Sequence, residues 1–289
     1  MRLYNVAGRA ALGTPGGTVD IETASAGRVS ADLMDVYANW TEFRDWVATW
    51  RPGDLDSRPL NDLEIGPPSP KPGQVFAIGL NYRGHAEEAG IALPKEPMVF
   101  TKFPSAVTGP YTTVALPSGS VDYEAELVVV IGTGGRDINI EEAWDHVAGL
   151  TVGQDLSDRE TQLRPPDPQQ FNLGKSFAGF APIGPCLVTP DELSQPNDLE
   201  IRCVLNGEEM QKARTSEFLF SIPELIAALS STVELRPGDL IFTGTPDGVG
   251  WTRDPRRLIG VDDQLTTIIE GIGEMRHAFT APITERHRS

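Results

Sequence analysis

Val121-Asp122-Tyr123-Glu124-Ala125-Glu126-Leu127-Val128-Val129-Val130-Ile131 is the stretch whose reading decides the fold. Its β-branched and apolar tail predicts a strand, in which alternate side chains share a face. Glu124 and Glu126 then point the same way, with Asp122 before them and Val128 and Val130 beyond. Tyr123, Ala125, Leu127, Val129 and Ile131 fill the other face, so the strand is expected to be buried on both sides. Two carboxylates in such a place repel each other and lose hydration, a cost that a cation, cationic side chains or protonation must offset. A bound divalent metal is the simplest cause, and a wet strand end beside Lys or Arg is the plain alternative.

If that metal is hard and octahedral, as Mg²⁺, Mn²⁺ or Ca²⁺ is, the pair needs a third oxygen ligand. Asp155, which ends the run Leu150-Thr151-Val152-Gly153-Gln154, is the best candidate, and Asp158 stands near enough to compete. The only cysteines, Cys186 and Cys203, are far apart, which argues against zinc and against a disulfide framework. Upstream, His85 and Glu88 are spaced to share one face of a short helix, where a carboxylate can orient an imidazole that deprotonates water. The same spacing is common on solvated helices. Lys175 lies in Asn172-Leu173-Gly174-Lys175-Ser176-Phe177, uncharged surroundings that place it against something anionic. Gly244-Thr245-Pro246, after the strand-like Leu240-Ile241-Phe242-Thr243, can offer N–H groups and a hydroxyl to a carboxylate or oxyanion. No nucleophile elbow, Walker loop or Rossmann fingerprint accompanies these residues.

Residues 1–70 read as a small N-terminal domain. They hold short β-like pieces at Arg2 to Ala7 and Thr18 to Glu22, then a helix from Thr41 to Trp50 with Thr41 as N-cap and a Trp40, Phe43, Trp46, Val47, Trp50 stripe. The proline-rich run from Gly66 to Gly73 can neither pair inside a sheet nor continue a helix, and marks the boundary to a second domain over 71–289. That domain opens with a strand at Gln74 to Gly79. A helix is expected to start at the box-like Asn139-Ile140-Glu141-Glu142 and run through Val147 to a stop near Gly149. Asn206-Gly207 predicts a hairpin, Ser221-Ile222-Pro223-Glu224 starts another helix, and residues 283–289 read as a frayed tail.

The 289 residues carry a formal net charge of -17, from 24 Lys plus Arg against 41 Asp plus Glu, with no basic stripe. Such a field opposes nucleic acid and anionic membranes as partners, while a metal and a lysine can reverse the potential inside one pocket. Met1 to Leu12 has no apolar core of signal length and no run approaches a membrane span, so the expected location is cytoplasmic.

Taken together, six segments resemble the fumarylacetoacetate hydrolase family over about residues 74 to 280, in its acylpyruvase and 2-hydroxyhepta-2,4-diene-1,7-dioate isomerase-like branch. They are Gly79-Leu80-Asn81-Tyr82 with His85 and Glu88; Asp122 through Leu127; Asp155 with Arg159 and Gln162; Gly174-Lys175-Ser176-Phe177; Asn206-Gly207; and Gly238-Asp239 through Gly250. The resemblance implies an α+β fold, a mixed β-roll with flanking helices beside a small N-terminal domain, assembled as a homodimer. It implies Mg²⁺ or Mn²⁺ on Glu124, Glu126 and Asp155, which selects Asp155 over Asp158. His85 becomes a general base oriented by Glu88 on a lid bracketed by Gly84 and Gly90. Lys175 and Gln162 match substrate-binding positions, Lys175 also stabilising negative charge, and Thr245 with Gly244 lies near the substrate's carboxylate or oxyanion.

The activity so implied is hydrolysis of a carbon–carbon bond in a small oxo-acid substrate, an acylpyruvate or similar diketo acid, releasing a pyruvate-type enolate. Decarboxylation, isomerisation and hydration of oxo acids draw on the same chemistry and are its rivals. Catalytically silent metal binding would call for neither His85 nor Lys175. The chain departs from the family pattern at Ala178, where many members carry aspartate, and in the proline-rich connection over 164–170. Both departures leave the substrate open.

Overall fold

The computed structural model describes residues 1–51, 57–60, 64–164 and 166–282. The expected tail at 283–289 lies outside the described residues. The fold is α+β, built on two large sheets, a two-stranded pair and the helices that flank them. The larger sheet runs Gly17–Asp20, Arg9–Thr14, Arg2–Val6, Ala181–Val188, Val147–Gln154, Ala125–Ile131, Leu240–Phe242, Val75–Gly79, Met98–Thr101. Neighbours along that path are antiparallel except Leu240–Phe242 and Val75–Gly79, which run parallel. Ala125–Ile131 sits in the middle and every one of its residues is buried, as the apolar run after Glu126 predicts for a strand covered on both faces.

The smaller sheet orders Glu208–Arg214, Glu200–Leu205, Gln264–Ile269, Gly273–Thr280 and Thr113–Ala115. Its middle strands alternate, burying Ile201, Cys203 and Leu205 and likewise Leu265, Thr267 and Ile269, so one face packs on the larger sheet while the other meets solvent. Asn206 and Gly207 both take positive φ, at 53° and 84°, and turn the Glu200–Leu205 and Glu208–Arg214 hairpin as expected. Ser221 and Glu224 form the expected capping box of the helix Ile222–Ser230.

Four local expectations are corrected. The strand carrying Asp122 breaks: Val121–Asp122 pairs with Ser157–Asp158, and only from Ala125 does the chain join the large sheet, so strand alternation does not place Asp122, which meets Glu124 through a shared Arg159 nitrogen. Thr41 is not a cap. The helix runs Trp40–Thr49 and its first flanking residue, Asn39, also closes the preceding helix Leu33–Ala38, which leaves no extended residue to act as a side-chain cap. The piece at Thr18 ends in a strand at Asp20, whose carboxylate accepts from the Thr23 N–H and starts the helix Ile21–Ala24. Asn139 opens only a 3-10 helix, Ile140–His146, because Val147 to Gly149 are taken by the strand Val147–Gln154. Sheet pairing there outweighs local helix propensity.

The large sheet takes strands from both sides of residue 70. Arg2–Val6 pairs with Ala181–Val188 in the register Arg2↔Val188 and Leu3↔Leu187, and the helix Trp40–Thr49 packs Trp40 so tightly on Gly132 that a Cβ there would lie 2.5 Å from the indole.

Candidate active site

The register of the central strands assembles the acidic residues. Ala125 pairs with Gln154, so Glu124 and Asp155 extend the ladder by one step, and the Asp155 N–H donates to the Glu124 carbonyl at 2.9 Å. Gln154 Oε1 accepts from the Glu124 N–H and Gln211 Oε1 from the Ala125 N–H, both at 2.9 Å, pinning the segment where it leaves the sheet. One carboxylate oxygen each from Glu124, Glu126 and Asp155 lies within 4.8 Å of the others, and all three residues are buried. The competing residue Asp158 sits elsewhere, held by the hydroxyls of Ser118, Ser120 and Thr161.

Cationic side chains offset part of this charge. Lys175 Nζ donates to Glu124 Oε2 and Asp155 Oδ2, each at 2.6 Å. Arg159 Nη2 reaches Glu124 Oε1 and Asp122 Oδ2 at 2.7 Å, and Lys102 donates to Asp155 Oδ1. Burial alone would push Glu124 up, but Lys175 and Arg159 outweigh it and hold the carboxyl well below its usual range. Burial likewise opposes the charge on Lys175, and Asp155 with Glu124 more than restores it. Glu126 differs: burial, then Asp155 and Glu124, push it well up, and among the described residues its one direct donor is the Gly244 N–H at 2.8 Å. An oxygen-only donor set from three buried carboxylates fits Mg²⁺ or Mn²⁺.

His85 Nδ1 and Glu88 Oε1 are 2.7 Å apart on the helix Arg83–Glu88. The other Glu88 oxygen accepts from the Gly248 N–H at 2.9 Å and from Thr252 Oγ1 at 3.0 Å, which ties the helix to the loop after Leu240–Phe242. Burial would raise the Glu88 carboxyl, but these bonds win and hold it below its ordinary value, ionised beside the imidazole. Asn81 fixes the base of this helix, donating to the Thr243 carbonyl at 2.8 Å and accepting from the Phe220 N–H at 2.8 Å. His85, Glu88, Glu124, Glu126, Gln162, Lys175 and Thr245 all face one cavity of about 430 Å³.

The Gly244 φ of 101° and a virtual Cβ only 2.7 Å from Asn81 Cβ require glycine, and its N–H donates to Glu126 Oε2 at 2.8 Å. Thr245 Oγ1 accepts from Gln211 Nε2 at 2.8 Å, and Gln162 Oε1 from Arg159 Nη1 at 2.8 Å.

Two residues of the site escaped the sequence reading. Lys102 is wholly buried, and the signal was available: Val99-Phe100-Thr101-Lys102-Phe103-Pro104 strands a lysine in uncharged surroundings just as the segment of Lys175 does. Gln211, which braces both Ala125 and Thr245, ends the expected hairpin and carries no local mark of its role.

The family model for the fumarylacetoacetate hydrolase C-terminal domain matches residues 74–280. A mitochondrial oxaloacetate tautomerase of Bos taurus is 43% identical over 217 residues, spanning 74% of this chain and 69% of the relative. A Mycobacterium smegmatis crystal structure described as an HpcE protein aligns with a TM-score of 0.91 at 52% identity, covering 97% of this chain and 99% of that one. Maleylpyruvate hydrolase from Sphingobium sp. SYK-6, solved with manganese(II) and pyruvate, aligns with a TM-score of 0.81 at 27% identity over 98% of this chain and 100% of that one. Among the described residues, no helix is long and apolar enough to cross a membrane.

Proposed function

Because the chain belongs to the fumarylacetoacetate hydrolase family, we propose that it is a divalent-metal-dependent enzyme of 2-oxo acids, hydrolysing a carbon–carbon bond in an acylpyruvate-type diketo acid. The observation that carries this reading is the His85–Glu88 pair, 2.7 Å apart, on the same cavity as Glu124 and Glu126, whose carboxylates lie within 4.8 Å of that of Asp155 behind them. Mg²⁺ or Mn²⁺ on Glu124, Glu126 and Asp155 supplies, when bound, a Lewis acid for the 2-oxo group and charge stabilisation for an enolate.

The chain's own side chains account for the remaining steps. Ionised Glu88 accepts a hydrogen bond from His85 Nδ1–H, leaving Nε2 unprotonated as the base that takes a proton from water. That water attacks the distal carbonyl, where the Lys175 ammonium stabilises the developing negative charge. Gln162 and Thr245 orient the substrate's polar head. The bond between the former carbonyl carbon and its neighbour then breaks, giving a carboxylic acid and the enol of pyruvate. Family membership also carries the expectation of a homodimer, which light scattering checks.

A second reading has a specific support in the 43%-identical relative named as an oxaloacetate tautomerase. In that case His85 moves a proton between carbon and oxygen, and no bond to carbon is hydrolysed. Mass spectrometry of the products separates the two. Metal-dependent release of pyruvate and a carboxylic acid from acylpyruvates is the expected result. A product of unchanged mass, or loss of carbon dioxide, overturns the hydrolase in favour of its rivals. Equal turnover by wild type and a Glu124→Ala, Glu126→Ala double variant removes the metal enzyme altogether.

A further inference from the structure

Lys102 is a charged side chain that takes no part in the proposed proton transfers. It has no exposed surface and does not line the cavity, so a bound substrate does not touch it. Its Nζ donates to Asp155 Oδ1, and the Leu156 carbonyl lies 3.4 Å away. Its backbone is fixed beside the start of the strand Val75–Gly79, where the Lys102 N–H donates to the Val75 carbonyl at 3.0 Å. Burying an ammonium group is costly even when it is paired, so this lysine calls for a role beyond filling space.

The three floor carboxylates share a pattern. Each gives one oxygen to a donor fixed in the protein: Glu124 Oε1 to Arg159 Nη2 at 2.7 Å, Glu126 Oε2 to the Gly244 N–H at 2.8 Å, and Asp155 Oδ1 to Lys102. One oxygen of each remains, namely Glu126 Oε1, Glu124 Oε2 and Asp155 Oδ2. Lys175, on the cavity wall, bridges the last two at 2.6 Å each. The two lysines that meet Asp155 come from segments stitched to one another. The Thr101 N–H donates to Asn172 Oδ1 at 3.2 Å, and the Phe103 N–H to Ser176 Oγ at 3.0 Å. Asp155 is thus held at both oxygens, and only Oδ2 is shared with a residue of the cavity.

We infer that Lys102 is a positioning residue for the metal: by holding Asp155 Oδ1 it restricts this carboxylate to ligation through Oδ2, which favours a small octahedral ion over Ca²⁺. This rests on the divalent-metal reading of the site. Ca²⁺ takes about six to eight oxygens and readily accepts both oxygens of one carboxylate, whereas octahedral Mg²⁺ and Mn²⁺ suit single-oxygen ligands. A lysine that only balanced charge would weaken every divalent ion alike and leave their order unchanged. A lysine that fixes the ligating oxygen changes their order.

Calorimetric titration of Mn²⁺ and of Ca²⁺ into the wild type and Lys102→Met, with no substrate present, tests the inference without turnover. Loss of the hold on Oδ1 is expected to move the ratio of the two affinities about tenfold or more toward Ca²⁺. A ratio that stays put, or moves toward Mn²⁺, overturns the inference and leaves Lys102 a counter-charge. Because Lys102→Met removes a buried partner of Asp155 and can fail to fold, a second measurement uses the wild type alone. In a crystal structure of the Mn²⁺-loaded protein, Asp155 is expected to meet the ion through Oδ2 while Oδ1 stays on Lys102, and any ligation through Oδ1 overturns the inference while the metal site stands. If the wild type binds no Mn²⁺, the metal reading falls and the inference falls with it.

Discussion

At the floor of the cavity, Glu124, Glu126 and Asp155 hang from two neighbouring strands buried on both faces, and each segment is pinned by backbone and glutamine hydrogen bonds. On the helix that the family resemblance casts as a lid, His85 and Glu88 ride on six residues with one buried side chain, Ala86, tied down through Glu88 to Gly248 and Thr252. The floor is therefore part of what holds the protein together, and the lid is nearly separable from it. Substitutions at the two places should differ in kind: floor variants change stability and metal affinity together, and lid variants change turnover alone.

The largest effect is expected at Asp155. Asp155→Ala takes the carboxylate from Lys102, which is wholly buried, and leaves Lys175 with Glu124 only. Breaking a buried ion pair from one side costs about 3–5 kcal/mol, so chemical denaturation should show a loss of that order together with loss of Mn²⁺ binding. Glu126→Gln sharpens the point. Burial, Asp155 and Glu124 already disfavour the Glu126 charge in the metal-free protein, and a glutamine oxygen can still accept the Gly244 N–H. Metal-free Glu126→Gln should be at least as stable as wild type at neutral pH and yet bind no Mn²⁺. A matching stability loss in both variants would show that the floor carboxylates are structural equals, contrary to their surroundings.

His85→Ala tests the other side of the comparison. The imidazole is partly exposed, and its one side-chain bond is to Glu88. Removing a general base costs about 10²–10⁴ in kcat. Mn²⁺ affinity should stay unchanged, and stability should stay within about 0.5 kcal/mol of wild type. A loss of metal affinity would place His85 in the floor and erase the distinction.

The sequence was most informative where local periodicity and burial coincide. Glu124, Glu126 and the apolar run after them follow from alternation along one strand, and Asp155 from its place at the end of another. Asp122 could not be read the same way, because the break after it comes from pairing with Ser157, a contact that alternation does not encode. Lys102 reaches Asp155 across 53 residues, and Arg2 meets Val188 at the far side of the sheet, so both depend on how the strands are ordered. Strand order is a long-range property with no fixed spacing in the chain. The failed helix at Asn139 has the same origin, since Val147 to Gly149 are claimed by Ile131 and its neighbours. The lid pair, in contrast, is a contact between residues three apart, which sequence can show directly.

The smallest expected effect concerns the tether of that lid. Thr252 Oγ1 donates to Glu88 Oε2 at 3.0 Å, and the Gly248 N–H supports the same oxygen at 2.9 Å. Thr252→Val removes one of the two supports, worth about 0.5–1.5 kcal/mol for a typical hydrogen bond, which corresponds to a few-fold fall in kcat if the orientation of Glu88 sets that of His85. The Glu88 carboxyl is held below its ordinary value of 4.5 against the opposing effect of burial. Its folded value being depressed, the stability it contributes is fully present above pH 4.5 and is lost as pH falls through the lower folded value. In Thr252→Val that folded value moves back toward 4.5, so the acid-side loss should shrink and be complete at a higher pH, while Mn²⁺ affinity stays at the wild-type value. Acid titration of stability beside a kcat profile reads both. An unchanged kcat with a shifted acid limb would show that Thr252 steadies the lid without orienting the base.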